Sequence, residues 1–191
     1  FRRWLHGVYL LGDEPRVPAG TQIILAPLHR SWWDGFMVGY LARTLFRRPA
    51  YVLMLEEQLR KRAVFSKVGV FSVRRGHPKE VARSLLYMES LLADSEDIIL
   101  TLFPEGELRA DTPDPPRIER GITRLRPVRP TVVLPAYFRL EQLWNQKPSV
   151  FVRLGEPIDF GAVRENSGLL VEALVRVQRR TFDDLNAERF G

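Results

Sequence analysis

The stretch 21–46, "TQIILAPLHRSWWDGFMVGYLARTLF", decides how the chain folds. Thr21 to Pro27 is a short, nearly unbroken apolar run, the mark of a strand buried on both faces of a sheet. Gly35 to Phe46 carries the broad apolar face of a helix. His29 and Asp34 stand between them. In a continuous helix, residues so spaced are turned roughly 500° and displaced about 7.5 Å, and their side chains diverge. They meet only if "HRSWWD" is a turn entering the helix, with Asp34 in the first turn, where the helix dipole favours a carboxylate. Two readings then stay open. Asp34 can orient an imidazole that removes a proton from a hydroxyl. It can equally be a plain helix cap after an ordinary loop. Ser31 lacks the glycine-flanked G-x-S-x-G elbow of a serine nucleophile and reads as a turn residue.

Upstream, "FRRWLHGVYLLG" (1–12) places Trp4, Val8 and Leu11 on one helical face. This predicts a short helix within segment 1–20, capping the domain or lying at an interface. Pro15, Pro18 and Gly20 end it. Downstream, "AYVLML" (50–55) reads as a second strand and "EEQLRKRAVFSK" (56–67) as the start of a short basic helix. "GVFSV" (69–73) is a third strand, leading into Arg74 and Arg75. Pro78 suits a helix start. Val81, Leu85, Met88 and Leu92 then recur at helical spacing. "DIILTLF" (97–103) is a strand running into Pro104, Glu105 and Gly106. "ADTPDPPR" (110–117) reads as an exposed, mobile loop. "TVVLPAYF" (131–138) and "SVFVRL" (149–154) are late strands, and Leu169 to Leu185 is a terminal amphipathic helix. Early alternation of strand and helix with late clustering of strands predicts an α/β fold. Its sheet is mixed and mostly parallel, flanked by helices, in a single domain over 1–191.

Composition narrows the chemistry. The chain has no cysteine, which excludes disulfides, thiolate nucleophiles and cysteine zinc sites. Its three histidines, His6, His29 and His77, are scattered, against a histidine zinc site. Lys+Arg number 29 against 23 Asp+Glu, a net charge of +6. That excess suits an anionic partner: phosphate groups, an acidic carrier protein, nucleic acid or an anionic bilayer. Scattered surface arginine is the competing explanation. No apolar stretch reaches the roughly 20 residues of a membrane span. No nucleic-acid-binding module and no glycine-rich nucleotide fingerprint is present.

In open α/β sheets ligands bind at the carboxyl ends of strands. Three elements leave such ends here: His29 to Asp34, Arg74–Arg75, and Pro104 to Arg109. Glu105 can accept hydrogen bonds from substrate hydroxyls or hold a neighbouring arginine. Gly106 permits close backbone approach. Arg75 and Arg109 can grip phosphate through paired N–H donors. A polar loop with a structural salt bridge explains the same residues.

Taken in order, these elements resemble the glycerolipid acyltransferase family, typified by acylglycerol phosphate acyltransferase. Its N-H-x-x-x-x-D motif corresponds to "LHRSWWD". G-x-[IF]-[FL]-[IV]-x-R corresponds to "GVFSVRR", F-P-E-G-T-R-S to "FPEGELR", and a hydrophobic strand ending in proline to "VVLPAYF" with Pro135. "VRLGEPI" (152–158) is similar to the family's late strand. The resemblance implies that His29 is a general base oriented by Asp34. It implies that Arg75, Glu105, Gly106 and Arg109 place the acceptor head group, and that Pro135 shapes the cleft near the acyl chain. The reaction implied moves a fatty acyl group from acyl-CoA or acyl carrier protein to a hydroxyl of a lysophospholipid, glycerol phosphate or glycolipid. No metal or bound cofactor is implied. The setting implied is that of a peripheral protein at the cytoplasmic face of the cell membrane. Arg47, Arg48, Arg60, Lys61 and Arg62 are candidates for contact with anionic lipid or donor phosphates. Two alternatives are a transacylase using a phospholipid donor and a catalytically silent lipid-binding protein of the same fold. Leu28 stands where the family has asparagine, and Glu107 and Leu108 where it has Thr-Arg. The added charge of Glu107 favours a neutral or hydroxyl-rich acceptor, such as a glycolipid or glycosylated carotenoid.

Overall fold

A computed structural model describes residues 3–55, 70–73, 77–95, 97–112, 114–143 and 145–187. The strands are β1 (Val8–Leu10), β2 (Gln22–Pro27), β3 (Ala50–Leu55), β4 (Val70–Val73), β5 (Ile99–Thr101), β6 (Thr131–Glu141), β7 (Ser149–Leu154) and β8 (Ile158–Asp159). The helices are α1 (Asp34–Leu41), α2 (Pro78–Asp94), α3 (Phe160–Glu165) and α4 (Gly168–Asn186). The eight strands form one sheet in the order β1-β7-β6-β2-β5-β3-β4, with β8 beside β6. Strands β2, β3, β4, β5 and β6 are mutually parallel, and β7 and β8 run antiparallel to β6. This is the expected mixed, mostly parallel α/β architecture.

The apolar run of β2 is explained by cover on both faces. Its side chains alternate across the pleat. Ile24, Ala26 and Leu28 join one core with Met88 and Leu92 of α2, Val163 of α3, and Leu170, Leu174 and Val177 of α4. Ile23 and Leu25 join the opposite core with Met37, Val38 and Leu41 of α1. Each such fully buried aliphatic side chain contributes about 1.5–3 kcal/mol by leaving water. Because the central strands are parallel, their carboxyl ends line up on one edge, and the chain leaves there into the turn carrying His29 and the turn carrying Glu105.

Two local expectations are corrected. The N-terminal segment is no helix: Val8–Leu10 pairs in parallel with β7, Val8 against Val150 and Leu10 against Val152. Trp4 is exposed while Leu5 and Leu11 are buried, so the apparent helical stripe does not face one side. Gly12, at φ +80°, ends the strand where only glycine is unstrained. The proline-rich loop 110–117 is not simply exposed either. Pro116 is buried, and Asp111 is tied into the sheet by Tyr137. The expected basic helix at 56–67, with Arg60, Lys61 and Arg62, lies outside the described residues. Among the described residues, no helix is long and apolar enough to cross a membrane.

Candidate active site

The strand-to-helix turn brings the His29 and Asp34 side chains together. His29 Nδ1 lies 2.9 Å from Asp34 Oδ2. Asp34 is fully buried, so its carboxylate must be satisfied by protein donors. The backbone N–H groups of Arg30 and Ser31 each donate to Oδ2 at 2.8 Å, and Ser31 Oγ donates to Oδ1 at 2.8 Å. Ser31 Oγ also accepts from the Trp33 N–H at 3.1 Å, which makes it the turn residue expected, spent on local bonds. With Nδ1 donating to Asp34, the neutral ring leaves Nε2 bare. Among the described residues no protein group bonds to Nε2, and His29 lines the cleft. The ring is steadied by stacking on Phe103, with centroids 4.2 Å apart.

Phe103 opens the second turn. Pro104 sets its backbone, the Gly106 N–H donates to the Phe103 carbonyl at 2.9 Å, and Gly106 takes φ +68°. This delivers Glu105, only 4% exposed, beneath the first turn. Glu105 holds an arginine: Arg30 Nη1 donates to Oε2 at 2.5 Å and Nη2 to Oε1 at 3.2 Å. The Arg109 N–H donates to the His29 carbonyl at 2.9 Å, so the two turns are joined backbone to backbone. The Arg109 guanidinium lies against Glu107, Nη2 to Oε1 at 2.5 Å, at the cleft wall. The Glu107 carboxylate is therefore paired with Arg109.

The cleft has a volume of about 1800 Å³. Val52, Met54, Val81, Leu85 and Met88 give it an apolar wall, and Arg43, Arg47, Arg117, Arg120 and Arg124 lie along it. Arg47 sits at φ +54°, closing a π-helical turn, Ala42–Phe46, that extends α1. That kink parts it from Arg48, whose Nη1 donates to the Thr21 carbonyl at 2.7 Å and whose Nη2 pairs with Asp97 at 3.2 Å. Of the five expected anion ligands, Arg47 and Arg48 both line the cleft, the Arg48 guanidinium also being tied to Thr21 and Asp97.

The structure thus brings His29, Asp34, Glu105, Gly106 and Arg109 together, and leaves Pro135 apart. Pro135 is buried in β6 opposite Ala26, and its carbonyl accepts from the Gly155 N–H at 2.8 Å. Its missing N–H falls where β7 gives way to β8 along the edge of β6, a break in the ladder that suits proline. Pro135 is not among the described residues that line the cleft. Arg75 lies outside the described residues.

Sequence reasoning missed Arg30 and Asp111. Arg30 Nε donates to Asp111 Oδ1 at 3.0 Å. Asp111 also accepts from Tyr137 Oη at 2.8 Å, Gln178 Nε2 at 3.0 Å and Arg139 Nη1. Burial first, and then the Asp111 carboxylate, push the Tyr137 phenol well above its usual range. Among the described residues no group of three or more His, Cys, Asp or Glu side chains could hold a metal ion.

Comparison with known proteins agrees with the fold. The Thermotoga maritima 1-acyl-sn-glycerophosphate (LPA) acyltransferase PlsC superposes with a TM-score of 0.59 at 17% identity, over 96% of this chain and 73% of that one. No curated protein sequence matches the chain. Residues 11–139, which carry both turns and the strands that aim them, match the family model described as Acyltransferase. The chain belongs to the acyltransferase family.

Proposed function

We propose that this protein transfers a fatty acyl group from a thioester donor to a hydroxyl of a lipid acceptor, with His29 as general base. One observation carries the reading: His29 Nδ1 is 2.9 Å from the buried Asp34 carboxylate, and the ring borders the cleft. In the reaction, Nε2 takes the acceptor's hydroxyl proton. The oxygen attacks the thioester carbonyl, and the tetrahedral intermediate collapses to the ester. The leaving thiolate recovers the proton from the imidazolium, whose charge Asp34 stabilises meanwhile. No covalent acyl-enzyme is needed.

The apolar wall from Val52 to Met88 offers an acyl chain a dry surface, and the cleft arginines suit phosphate on donor or acceptor. Acyl-CoA and acyl carrier protein both supply the thioester. Lysophosphatidate is the first acceptor to test, because PlsC is an LPA acyltransferase of the same fold. Glu105, engaged by Arg30, acts by shaping the turn, while Gly106, Arg109 and Arg75 serve the head group. Trp32 and Leu108 are exposed on the rim of the same cleft, which fits a peripheral protein drawing its acceptor from a bilayer surface.

The test supplies the purified protein with oleoyl-CoA and lysophosphatidate in vesicles, with thiol release and the mass of the lipid product as readouts. Phosphatidate with stoichiometric free thiol is expected, and His29→Ala should abolish both. Acyl transfer only when a diacyl phospholipid replaces oleoyl-CoA would make the protein a transacylase. Lipid binding without turnover for any pair would refute acyl transfer.

A further inference from the structure

We infer that Asp111 is a positioning residue for catalysis: through Arg30 it fixes the backbone that holds Asp34, and so sets the tautomer and aim of His29. The inference rests on the acyl-transfer reading for its kinetic test.

The four donors to the Asp34 carboxylate named above come from within its own turn: His29 Nδ1, the Arg30 N–H, the Ser31 N–H and Ser31 Oγ. The carboxylate therefore has no more definite position than the turn itself. The Arg30 side chain ties that turn to the rest of the protein. It is 6% exposed and stretched between two carboxylates, Glu105 on its fork and Asp111 on Nε. Its Nη1 also reaches the His29 carbonyl at 3.4 Å. The Arg30 N–H and His29 Nδ1 share Asp34 Oδ2, so a rotation of the Arg30 peptide displaces the acceptor that holds the ring.

Asp111 is in turn held by three donors from other layers: Tyr137 and Arg139 on β6 and Gln178 on α4. Glu105 takes the fork through both Nη atoms, and Asp111 satisfies Nε and ties the guanidinium to β6 and α4. A strut thus runs from α4 and β6, through Asp111 and the Arg30 side chain, to the Arg30 backbone N–H that donates to Asp34 Oδ2.

The test compares wild type with Asp111→Asn and Gln178→Leu. The chain has three histidines, so long-range ¹H–¹⁵N spectra resolve the His29 ring, identified by its loss in His29→Ala. In wild type His29 is expected as the Nδ1–H tautomer. Asp111→Asn should shift it toward Nε2–H and lower kcat about 10²-fold, the scale of a misplaced catalytic group, with both KM values within about twofold. Gln178→Leu removes one bond to Asp111 and should lower kcat about fivefold, as expected for about 1 kcal/mol. Wild-type tautomer and kcat in the folded variants would overturn the inference. If Asp111→Asn does not fold, Gln178→Leu decides alone. If wild type turns over no donor and acceptor, the acyl-transfer reading fails, while the tautomer comparison still decides the positioning role.

Discussion

Replacing Asp34 by Asn separates charge from geometry at the centre of the site. The carboxylate is fully buried and its oxygens are not equivalent. Oδ2 accepts three bonds, at 2.9, 2.8 and 2.8 Å, and Oδ1 accepts one, at 2.8 Å from Ser31 Oγ. An asparagine with its oxygen at the Oδ2 position still accepts from all three donors and turns its NH₂ to a hydroxyl that can reorient to accept it. The opposite placement would aim NH₂ at two backbone N–H groups, so the first placement wins. The ring then stays where it is, and what disappears is the full negative charge facing the imidazolium. Unit charges about 4 Å apart interact by about 4 kcal/mol at an effective dielectric of 20. If the ring carries between half and all of its charge at the transition state, the loss is about 2–4 kcal/mol, or roughly 30- to 10³-fold in kcat. The assay is continuous thiol release from oleoyl-CoA at saturating acceptor, with the melting temperature followed on the same sample. Turnover within about threefold of wild type, or a loss confined to either KM, would refute the view that Asp34 stabilises a developing imidazolium.

Four further outcomes follow from the same geometry. His29→Ala should lower kcat at least about 10²-fold while leaving the melting curve nearly unchanged, because the ring is partly exposed at the cleft; circular dichroism and thiol release check the two halves. Glu107→Gln should free the Arg109 guanidinium and lower the KM for a phosphate-bearing acceptor by up to about fivefold, the scale of an exposed ion pair; an unchanged KM would remove Arg109 from the head-group site. Gly106→Ala forces a side chain into φ +68° and should destabilise by about 1–2 kcal/mol, read as a lower midpoint in urea. The Tyr137 phenol is raised in the folded state, so the folded protein holds this proton where the unfolded chain has released it. Stability should be level with pH below about 10 in this respect and fall above it. Tyr137→Phe should flatten that alkaline decline, as measured by urea midpoints from pH 9 to 11.

The parts legible in the sequence were those whose cause is local. The apolar run of β2, the helical spacing of Val81, Leu85, Met88 and Leu92, and the turn residues around His29 and Pro104 each satisfy their own backbone within a few positions. The His29–Asp34 bond spans five residues and was foreseeable as a turn for that reason. Segment 1–12 was misread because Trp4, Val8 and Leu11 match a helical stripe by spacing, while the free edge of β7, far away in sequence, offers Val8–Leu10 a ladder. Arg30 and Asp111 were invisible for a stronger form of the same cause. They are 81 residues apart, and Gln178 is 67 beyond Asp111. Nothing in a proline-rich, acidic loop distinguishes an aspartate facing water from one facing two arginines and a phenol. Yet burial makes the distinction severe, since an unpaired arginine in the place of Arg30, 6% exposed, would cost several kcal/mol. The motif residues are the ones we propose to meet substrate. What keeps them in place is settled by the partners that a buried guanidinium must find, and here those partners come from β6, α4 and a loop that the sequence alone assigns to the surface.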